Sequence, residues 1–159
     1  MSISSEHAVD QIKSGDNIFI HSAAAAPQRL IKKLYERRDE LRDVTIYQIH
    51  TEGAAPYANA PEAFKVISFF VGPNIRKSAQ NVQANFIPVF LSEIPRLFTS
   101  GTIPIDVALI SVSPPDDHGY CSLGPSIDVS LAASESAKKV IAQVNKHIPR
   151  THGDGLIHI

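Results

Sequence analysis

Short apolar segments rich in β-branched residues recur along the chain, with helical patterns between them. They cover residues 17–20, 44–49, 66–70, 105–112 and 140–144. The segment 105–112 is apolar at nearly every position, as expected for a strand that helices cover on both faces, whereas a half-exposed antiparallel strand alternates. The pattern therefore predicts an α/β fold with a mainly parallel sheet and helices on both faces.

Capping residues and glycines mark the helices between these strands. Ser4 or Ser5 is a candidate cap for a first helix, which Gly15 ends. Pro27 stands where the first turn of a second helix tolerates proline. Two further helices are predicted, one over 91–100 and one that Ser126 caps and that runs to about residue 138.

Two segments have less regular patterns. Residues 85–90 resemble a strand but contain Pro88, which cannot donate to a ladder, so they predict an edge strand or a loop. Residues 156–159 read LIHI, a strand-like segment on which the sequence stops. This apolar segment indicates either that the chain is one part of a larger protein or that its last residues form a strand docked on the sheet.

The composition describes one globular domain over residues 1–159 and excludes several classes of protein. A chain of 159 residues buries enough surface to fold without disulfides or a structural metal. A net charge of −1 argues against a nucleic-acid partner. No apolar run approaches the roughly 20 residues of a membrane span, so we expect no membrane association. The single cysteine, Cys121, and the polar start favour a cytoplasmic location.

Common catalytic and metal-binding motifs are missing from the sequence. It contains no phosphate loop, no GxGxxG between a strand and a helix, no GxSxG and no CxxC. His147, His152, Asp154 and His158 crowd the end of the sequence, but their spacing matches no known metal pattern. We expect surface or hydrogen-bonding histidines here and no bound metal.

The residues after the first strand are one candidate site. His21 and Ser22 follow that strand directly, and a small-residue loop leads from them to Pro27. In open parallel sheets, ligands bind at the carboxyl ends of strands, where such a loop lets a ligand approach backbone amides. A tight turn in which the alanines only pack explains the pattern equally well.

The segment 111–126 is the other candidate. Pro114 and Pro115 fix the backbone, and Gly119 and Gly124 permit positive φ, so the loop is rigid. A rigid loop after a buried strand is more often functional than merely connecting. His118 beside Asp116 or Asp117 is able to act as an acid or base, or to cap a turn. Cys121 is a weaker candidate nucleophile, because no activating group is identifiable.

Three stretches resemble one protein family. VSPPDDHGYCSLGPSIDVS (112–130) resembles the SPPD..G..SLG signature of the acetyl-CoA hydrolase/transferase family, which includes the 4-hydroxybutyrate CoA-transferases. NKHIPRTHGDGLIHI (145–159) is similar to that family's N...PRT.G...IH stretch, and SGDNIFIHSAAAAPQRLI (14–31) to its SGD.VFI..AAA.P..L opening. Together the three stretches run in the family's order along essentially the whole chain.

The resemblance implies a fold and an activity. Family members have two similar α/β domains, of the type found in CoA-transferases and sugar-phosphate isomerases, and this chain resembles the first. The resemblance implies transfer of CoA from an acyl-CoA such as acetyl-CoA to a small carboxylic acid such as 4-hydroxybutyrate or acetate. The family's catalytic glutamate, which forms a glutamyl-CoA thioester, lies in the second domain. We therefore nominate no catalytic residue here and expect the chain alone to be inactive.

The resemblance also implies partners and a set of cleft residues. The expected partners are the C-terminal CoA-transferase domain, in cis or in trans, and a second copy of the chain, since a missing domain leaves an apolar face exposed. Coenzyme A esters enter as substrates, and no cofactor is expected to be bound covalently. Acetyl-CoA hydrolysis and a non-catalytic binding or assembly role remain alternatives. The candidate cleft residues are Ser22, Pro27, Pro114, Pro115, Asp116, His118, Gly119, Gly124, Asn145, Pro149 and Arg150, of which Arg150 is the candidate to hold a substrate carboxylate.

Overall fold

The computed structural model describes residues 4–81 and 83–158 and contains a six-stranded sheet and a separate two-stranded sheet. All pairs in the larger sheet are parallel, in the order β4-β3-β2-β1-β5-β7, and β6 pairs with β8 antiparallel. The strands are β1 (Asn17–Ile20), β2 (Val44–Gln48), β3 (Phe64–Ser68), β4 (Ala84–Phe86), β5 (Val107–Val112), β6 (Tyr120–Ser122), β7 (Lys139–Val144) and β8 (Leu156–His158).

Helices pack on both faces of the larger sheet, which confirms the predicted fold class. One face carries the core under α1 and α2, including Ile12, Leu30 and Leu34. The other face carries a core under α4 and α5, including Phe98 and Ala133. The helices are α1 (Ser5–Val9), α2 (Gln28–Glu36), α3 (Arg76–Gln80), α4 (Ile94–Thr99) and α5 (Ser130–Ser136), with short 3-10 turns at Pro56–Asn59 and Leu91–Glu93.

The strand order reverses between β1 and β5. From β1 the chain moves outward through β2 and β3 to β4, then returns to place β5 on the other side of β1. The connections that leave β1 and β5 therefore run in opposite directions at the carboxyl edge of the sheet. Such a switch point is the usual ligand site of an open α/β sheet.

The edge strand β4 confirms the interpretation of Pro88. The strand ends at Phe86, two residues before the proline, and it has only β3 as a neighbour. Because proline lacks an N–H, the chain leaves the ladder and turns toward α4. The helix predicted over 91–100 follows as a 3-10 turn and α4, and Gly101 after it has φ +74°.

The prediction that Ser126 caps the next helix is wrong, because α5 begins at Ser130. The carbonyl of Ser126 accepts a hydrogen bond from His21, which holds this residue in the core. A turn at Asp128, with φ +25°, then directs the chain into the helix. A carboxylate oxygen of Asp128 accepts the Ser130 N–H at 3.1 Å, which fixes the turn that precedes α5.

The terminal segment 156–158 pairs with β6 and not with the larger sheet. Cys121 lies opposite Ile157, and Ser122 lies opposite Leu156. Cys121 and Leu123 pack against buried residues of β5, so this small sheet covers one end of the core. Ile159, the last residue of the LIHI pattern, lies outside the described residues.

No helix within residues 4–81 and 83–158 is long and apolar enough to cross a membrane.

Candidate functional site

His21 joins the strand ends at the switch point. Its backbone N–H donates to Leu109 in β5 at 2.9 Å, and its Nδ1 accepts the Ser111 N–H at 3.1 Å. Its Nε2 lies 2.7 Å from the Ser126 carbonyl oxygen and donates to it. The ring is thus neutral, with its proton on Nε2, and burial lowers the pKa of His21 despite its contacts with the Ser126 carbonyl and Asp128.

Ser22, the next residue, is held by a carboxylate that the sequence did not single out. Its hydroxyl donates to Asp128 at 2.5 Å and lies 3.1 Å from the hydroxyl of Ser130. Ser22 is fully buried, and so is Ser130. The first turn of α5 is thereby fixed to the end of β1, and the Ser22 hydroxyl orders the loop.

The loop 22–27 crosses to the neighbouring strand. The Ala23 N–H donates to the carbonyl of His50 at 2.8 Å, and the Ala23 carbonyl accepts the Glu52 N–H at 3.1 Å. Ala23 has φ +50°, a left-handed conformation that favours glycine and that a residue with a Cβ rarely adopts. Pro27 is buried directly before α2, as the pattern predicted.

A buried polar network lies at the ends of β2 and β3, and the sequence analysis missed it. The Tyr57 hydroxyl donates to Gln48 at 2.5 Å, and Gln48 donates to Ser68 at 3.4 Å. Burial raises the pKa of Tyr57 to about 12, so it stays a neutral donor. The signal in the sequence was a polar residue at the last position of each of these apolar strands.

Asn74 fixes the loop that follows β2. Its amide nitrogen donates to the carbonyl oxygens of Thr51 and Gly53, at 2.8 and 3.1 Å. Its Oδ1 atom is the one buried side-chain polar atom in the described part of the chain that has no hydrogen-bond partner. The loops after β1, β2 and β3 therefore form one connected rim.

The loop 113–124 is organised by Asp116. This carboxylate accepts the N–H groups of Tyr120 at 2.8 Å and of His118 at 3.0 Å. The Tyr120 N–H, followed by that of His118 and the charge of Arg150, holds the pKa of Asp116 below its usual range. The side chains of His118 and Asp117 are exposed, and Pro114 and Pro115 lie on the surface.

Arg150 lies against this loop. Its guanidinium is 2.6 Å from a carboxylate oxygen of Asp116 and donates to the Tyr120 carbonyl at 3.0 Å. Asp116, and not the neighbouring Asp154, is the partner that positions it. The Arg150 side chain is about one-third exposed (33%).

The segment 145–151 is fixed beside Gly124 by hydroxyl groups. The Ser122 hydroxyl accepts the N–H groups of Gly124 and Thr151, at 3.0 and 3.1 Å, and Thr151 donates to the Gly124 carbonyl at 3.0 Å. Asn145 Oδ1 accepts the His147 N–H, which turns the chain toward Pro149. Asn145, Pro149 and Arg150 therefore belong to one structured segment that packs beside the buried Gly124.

The nominated residues form two clusters and not one. Ser22 belongs to the switch-point cluster with Asp128, whereas Asp116 and Arg150 belong to the cluster on the loop 113–124. Residues 124–128 connect them. Cys121 is buried, and burial raises the pKa of its thiol. The hypothesis that Cys121 is a nucleophile therefore gains no support.

The chain end forms no metal site within residues 4–81 and 83–158, where no group of three or more His, Cys, Asp and Glu side chains converges. His158 instead packs edge-on against the ring of Tyr120, with ring centres 5.1 Å apart.

An open depression of about 540 Å³ adjoins the switch-point cluster. Apolar side chains form most of its wall, and Asp128, the partner of Ser22, lies at its edge. Its lining residues are Phe90, Leu91, Ser92, Pro95, Asp128 and Val129.

Comparison with known proteins gives a consistent result. The model of the acetyl-CoA hydrolase/transferase N-terminal domain matches residues 2–159. A succinyl-CoA:acetate/propanoyl-CoA:succinate CoA transferase from Fasciola hepatica is 49% identical, over 92% of this chain and 31% of its own length. The 4-hydroxybutyrate coenzyme A transferase of Clostridium kluyveri is 37% identical, over 99% of this chain and 37% of its own.

A solved structure agrees with these relatives. RipA from Yersinia pestis superposes with a TM-score of 0.88 at 31% identity, covering 98% of this chain and 39% of RipA. The chain spans about a third of the length of the curated relatives that it matches. Because the family model covers the chain almost end to end, this chain belongs to the acetyl-CoA hydrolase/transferase family and corresponds to its N-terminal domain.

Proposed function

We propose that residues 1–159 form the first domain of a CoA-transferase that moves CoA between an acyl-CoA and a small carboxylic acid. The observation that carries the proposal is the family match over residues 2–159, since the curated relatives named above are CoA transferases. The acids in their names, acetate, succinate and 4-hydroxybutyrate, are small carboxylates. We therefore assign the same substrate class to the polypeptide that contains this chain.

The carboxyl edge of the sheet is the surface that we assign to the reaction. A carboxylate nucleophile and its thioester both require a site from which water is excluded. The rim formed by the loops after β1, β2 and β3 is rigid, and the loop 22–27 carries only small side chains up to Pro27. In this proposal the rim is one wall of a cleft, and a glutamate outside this chain receives the acyl group.

Arg150 is the residue that we assign to the acid substrate. Its guanidinium has five N–H donors, and those that face Asp116 and Tyr120 leave others for a ligand. A guanidinium binds a carboxylate through two parallel hydrogen bonds, which also orients it. The ion pair with Asp116 would hold Arg150 ready for the incoming acid.

The test is an exchange assay on the full polypeptide in which this chain occurs. Incubation with acetyl-CoA and isotope-labelled propanoate, succinate or 4-hydroxybutyrate should yield labelled acyl-CoA, detected by mass spectrometry. The 159-residue chain alone should yield none, because the acyl-accepting glutamate is outside it.

The alternatives give different results in the same assay. Release of free CoA without an acceptor acid would replace the transferase assignment by a hydrolase. A shift of the melting temperature by acetyl-CoA without any turnover would indicate a binding module, since a ligand of the native state stabilises it by mass action.

A further inference from the structure

Two aromatic rings meet where β2 and β3 leave the sheet. His50 lies two residues beyond the end of β2, and Phe70 lies two residues beyond the end of β3. The rings are inclined at 64° to each other, with their centres 6.0 Å apart. Both residues therefore belong to the carboxyl edge of the sheet, the edge that binds ligands in open parallel folds.

Phe70 is exposed although its neighbour Phe69 belongs to the core. Phe69 is only 4% exposed and packs against Phe98 of α4, with ring centres 6.0 Å apart, whereas Phe70 is 61% exposed. The chain thus directs one ring into the core and the next ring away from it. The large apolar surface of Phe70 is left open to a ligand.

Backbone hydrogen bonds hold Phe70 in place. Its N–H donates to the carbonyl of Ile49 at 3.0 Å, and its own carbonyl accepts the Ser68 hydroxyl at 2.6 Å. An aromatic side chain has only two χ angles to fix. A ring on this backbone therefore loses little conformational freedom on binding, which favours a stable contact.

His50 connects Phe70 to the loop 22–27. The His50 carbonyl accepts the Ala23 N–H at 2.8 Å. The strands β1, β2 and β3 are neighbours in the sheet, and a spacing of about 4.8 Å places the ends of β1 and β3 about 10 Å apart. A ligand that lies on the loop 22–27 and extends toward β3 therefore meets these two rings.

Polar side chains of the same loops already have partners within the protein. The Ser68 hydroxyl donates to the Phe70 carbonyl, and the Asn74 amide nitrogen donates to the carbonyl oxygens of Thr51 and Gly53. This part of the rim therefore offers a ligand mainly aromatic surface. Such a surface suits an apolar group better than a charged one, because a charge placed there loses its hydration without a new partner.

We propose that Phe70 contacts the acyl group during CoA transfer and favours longer, apolar acyl chains, an inference that rests on the proposed function. An acetyl group on the loop 22–27 ends short of the ring, and each added methylene brings the chain closer to it. Each methylene that packs on the ring is removed from water, which stabilises the bound acyl group. His50 packs against the ring and positions it.

The test compares acyl groups in the full polypeptide. Wild type and Phe70→Ala are assayed with acetyl-CoA, butyryl-CoA and succinyl-CoA as donors and one labelled acid as acceptor, and kcat/KM is measured for each donor. Succinyl-CoA has the chain length of butyryl-CoA but ends in a carboxylate, so it separates apolar contact from length. Phe86→Ala on the edge strand β4 is the matched control, because it removes the same ring at a similar exposure, 52%.

Phe70→Ala should lower kcat/KM for butyryl-CoA about tenfold and should change the values for acetyl-CoA and succinyl-CoA by less than about twofold. Phe86→Ala should leave all three values unchanged. Phe70→Leu keeps an apolar side chain of intermediate size, and it should lower the butyryl value by only about threefold. It serves as the deciding variant where Phe70→Ala fails to fold.

The remaining outcomes overturn the proposal in distinguishable ways. Equal losses for all three donors in the Phe70 variants would make Phe70 a structural residue of the rim. An unchanged ratio of the butyryl and acetyl values, or the same selective loss in Phe86→Ala, would remove the contact but retain CoA transfer. A wild-type polypeptide that transfers CoA from none of the donors would refute the proposed function itself.

Discussion

At the residue scale, His21 decides how the two strands separate at the switch point. Where β1 leaves the sheet, the Ser111 N–H in β5 takes the imidazole Nδ1 as its acceptor. The other ring nitrogen reaches the Ser126 carbonyl. One neutral side chain therefore provides hydrogen bonds to two buried backbone groups from different segments. Without this partner each group would be buried unpaired, which costs free energy.

His21→Gln should lower the free energy of unfolding at pH 8 by about 1–3 kcal/mol, because one or both backbone partners lose a well-placed hydrogen bond.

The pH dependence of the free energy of unfolding should change as well. The folded-state pKa of His21 lies below its ordinary value of 6.5, so the unfolded state binds more protons as pH falls through and below 6.5.

Stability conferred by neutral His21 is thus fully present above about pH 6.5 and is lost toward acid, with a slope of at most about 1.4 kcal/mol per pH unit. Urea unfolding of wild type and variant between pH 5 and 8, followed by circular dichroism, measures the difference. His147→Gln, an exposed histidine, is the control. Parallel stability curves for wild type and His21→Gln would contradict the assignment.

Gly124 gives a second prediction at the same scale. It has φ +70°, and a Cβ there would lie 2.6 Å from Cγ2 of Ile148. Gly101 has a similar φ of +74° with no atom within 4 Å of the added Cβ. Gly101→Ala should cost about 1 kcal/mol for its backbone conformation alone.

Gly124→Ala should cost a further ~1–3 kcal/mol, because a branched side chain in the core must move. Thermal unfolding of the two variants gives the comparison. Equal losses would show that Ile148 moves aside freely and that the surface beside Gly124 is not rigid.

At the element scale, Arg150 links the terminal segment to the loop 113–124. The ion pair with Asp116 is partly exposed, so Arg150→Gln and Asp116→Asn should each lower stability by less than about 1 kcal/mol. Their effects on catalysis should differ. In the full polypeptide, Arg150→Gln should raise KM for the acid about tenfold or more, because a charged hydrogen bond to the substrate is lost.

Asp116→Asn should change that KM much less, because it removes the ion pair and retains both the side-chain shape and the arginine. Steady-state kinetics with varied acid concentration provides the measurement, and Arg150→Lys tests whether a charge without the planar fork suffices. Equal changes of KM in the Arg150→Gln and Asp116→Asn variants would make Arg150 a positioning residue for the loop.

At the scale of the whole molecule, the core of the sheet is well covered by helices. The central strands β1 and β5 are almost fully buried under helices on both faces. The ion pair of Arg150 with Asp116 is partly exposed, and the side chains of Phe90 and Leu91 are exposed. The chain spans about a third of the length of the curated relatives that it matches. We therefore expect the CoA-transfer assay to separate the 159-residue chain, inactive alone, from the full polypeptide.

Much of the fold was predictable because it depends on local patterns. The five apolar segments are all strands of the larger sheet, with 66–70 displaced to Phe64–Ser68, and α2 begins directly after Pro27, as predicted. Pro88 ended β4 as expected, since a missing N–H is a property of the residue itself. The prediction that Ser126 caps a helix was wrong, because its carbonyl binds His21, which is 105 residues away in the sequence.

The sequence by itself determined the fold class and the family resemblance, since both depend on residue types at short spacing, and it predicts that the segment 111–126 is rigid. Only the tertiary structure decided that Asp128 holds Ser22, that Asp116 holds Arg150, and that Gln48, Tyr57 and Ser68 form a network. These partners come from distant segments that the parallel sheet brings to one edge. A hydrogen bond depends on where atoms lie in space, and the linear spacing of residues does not contain that information.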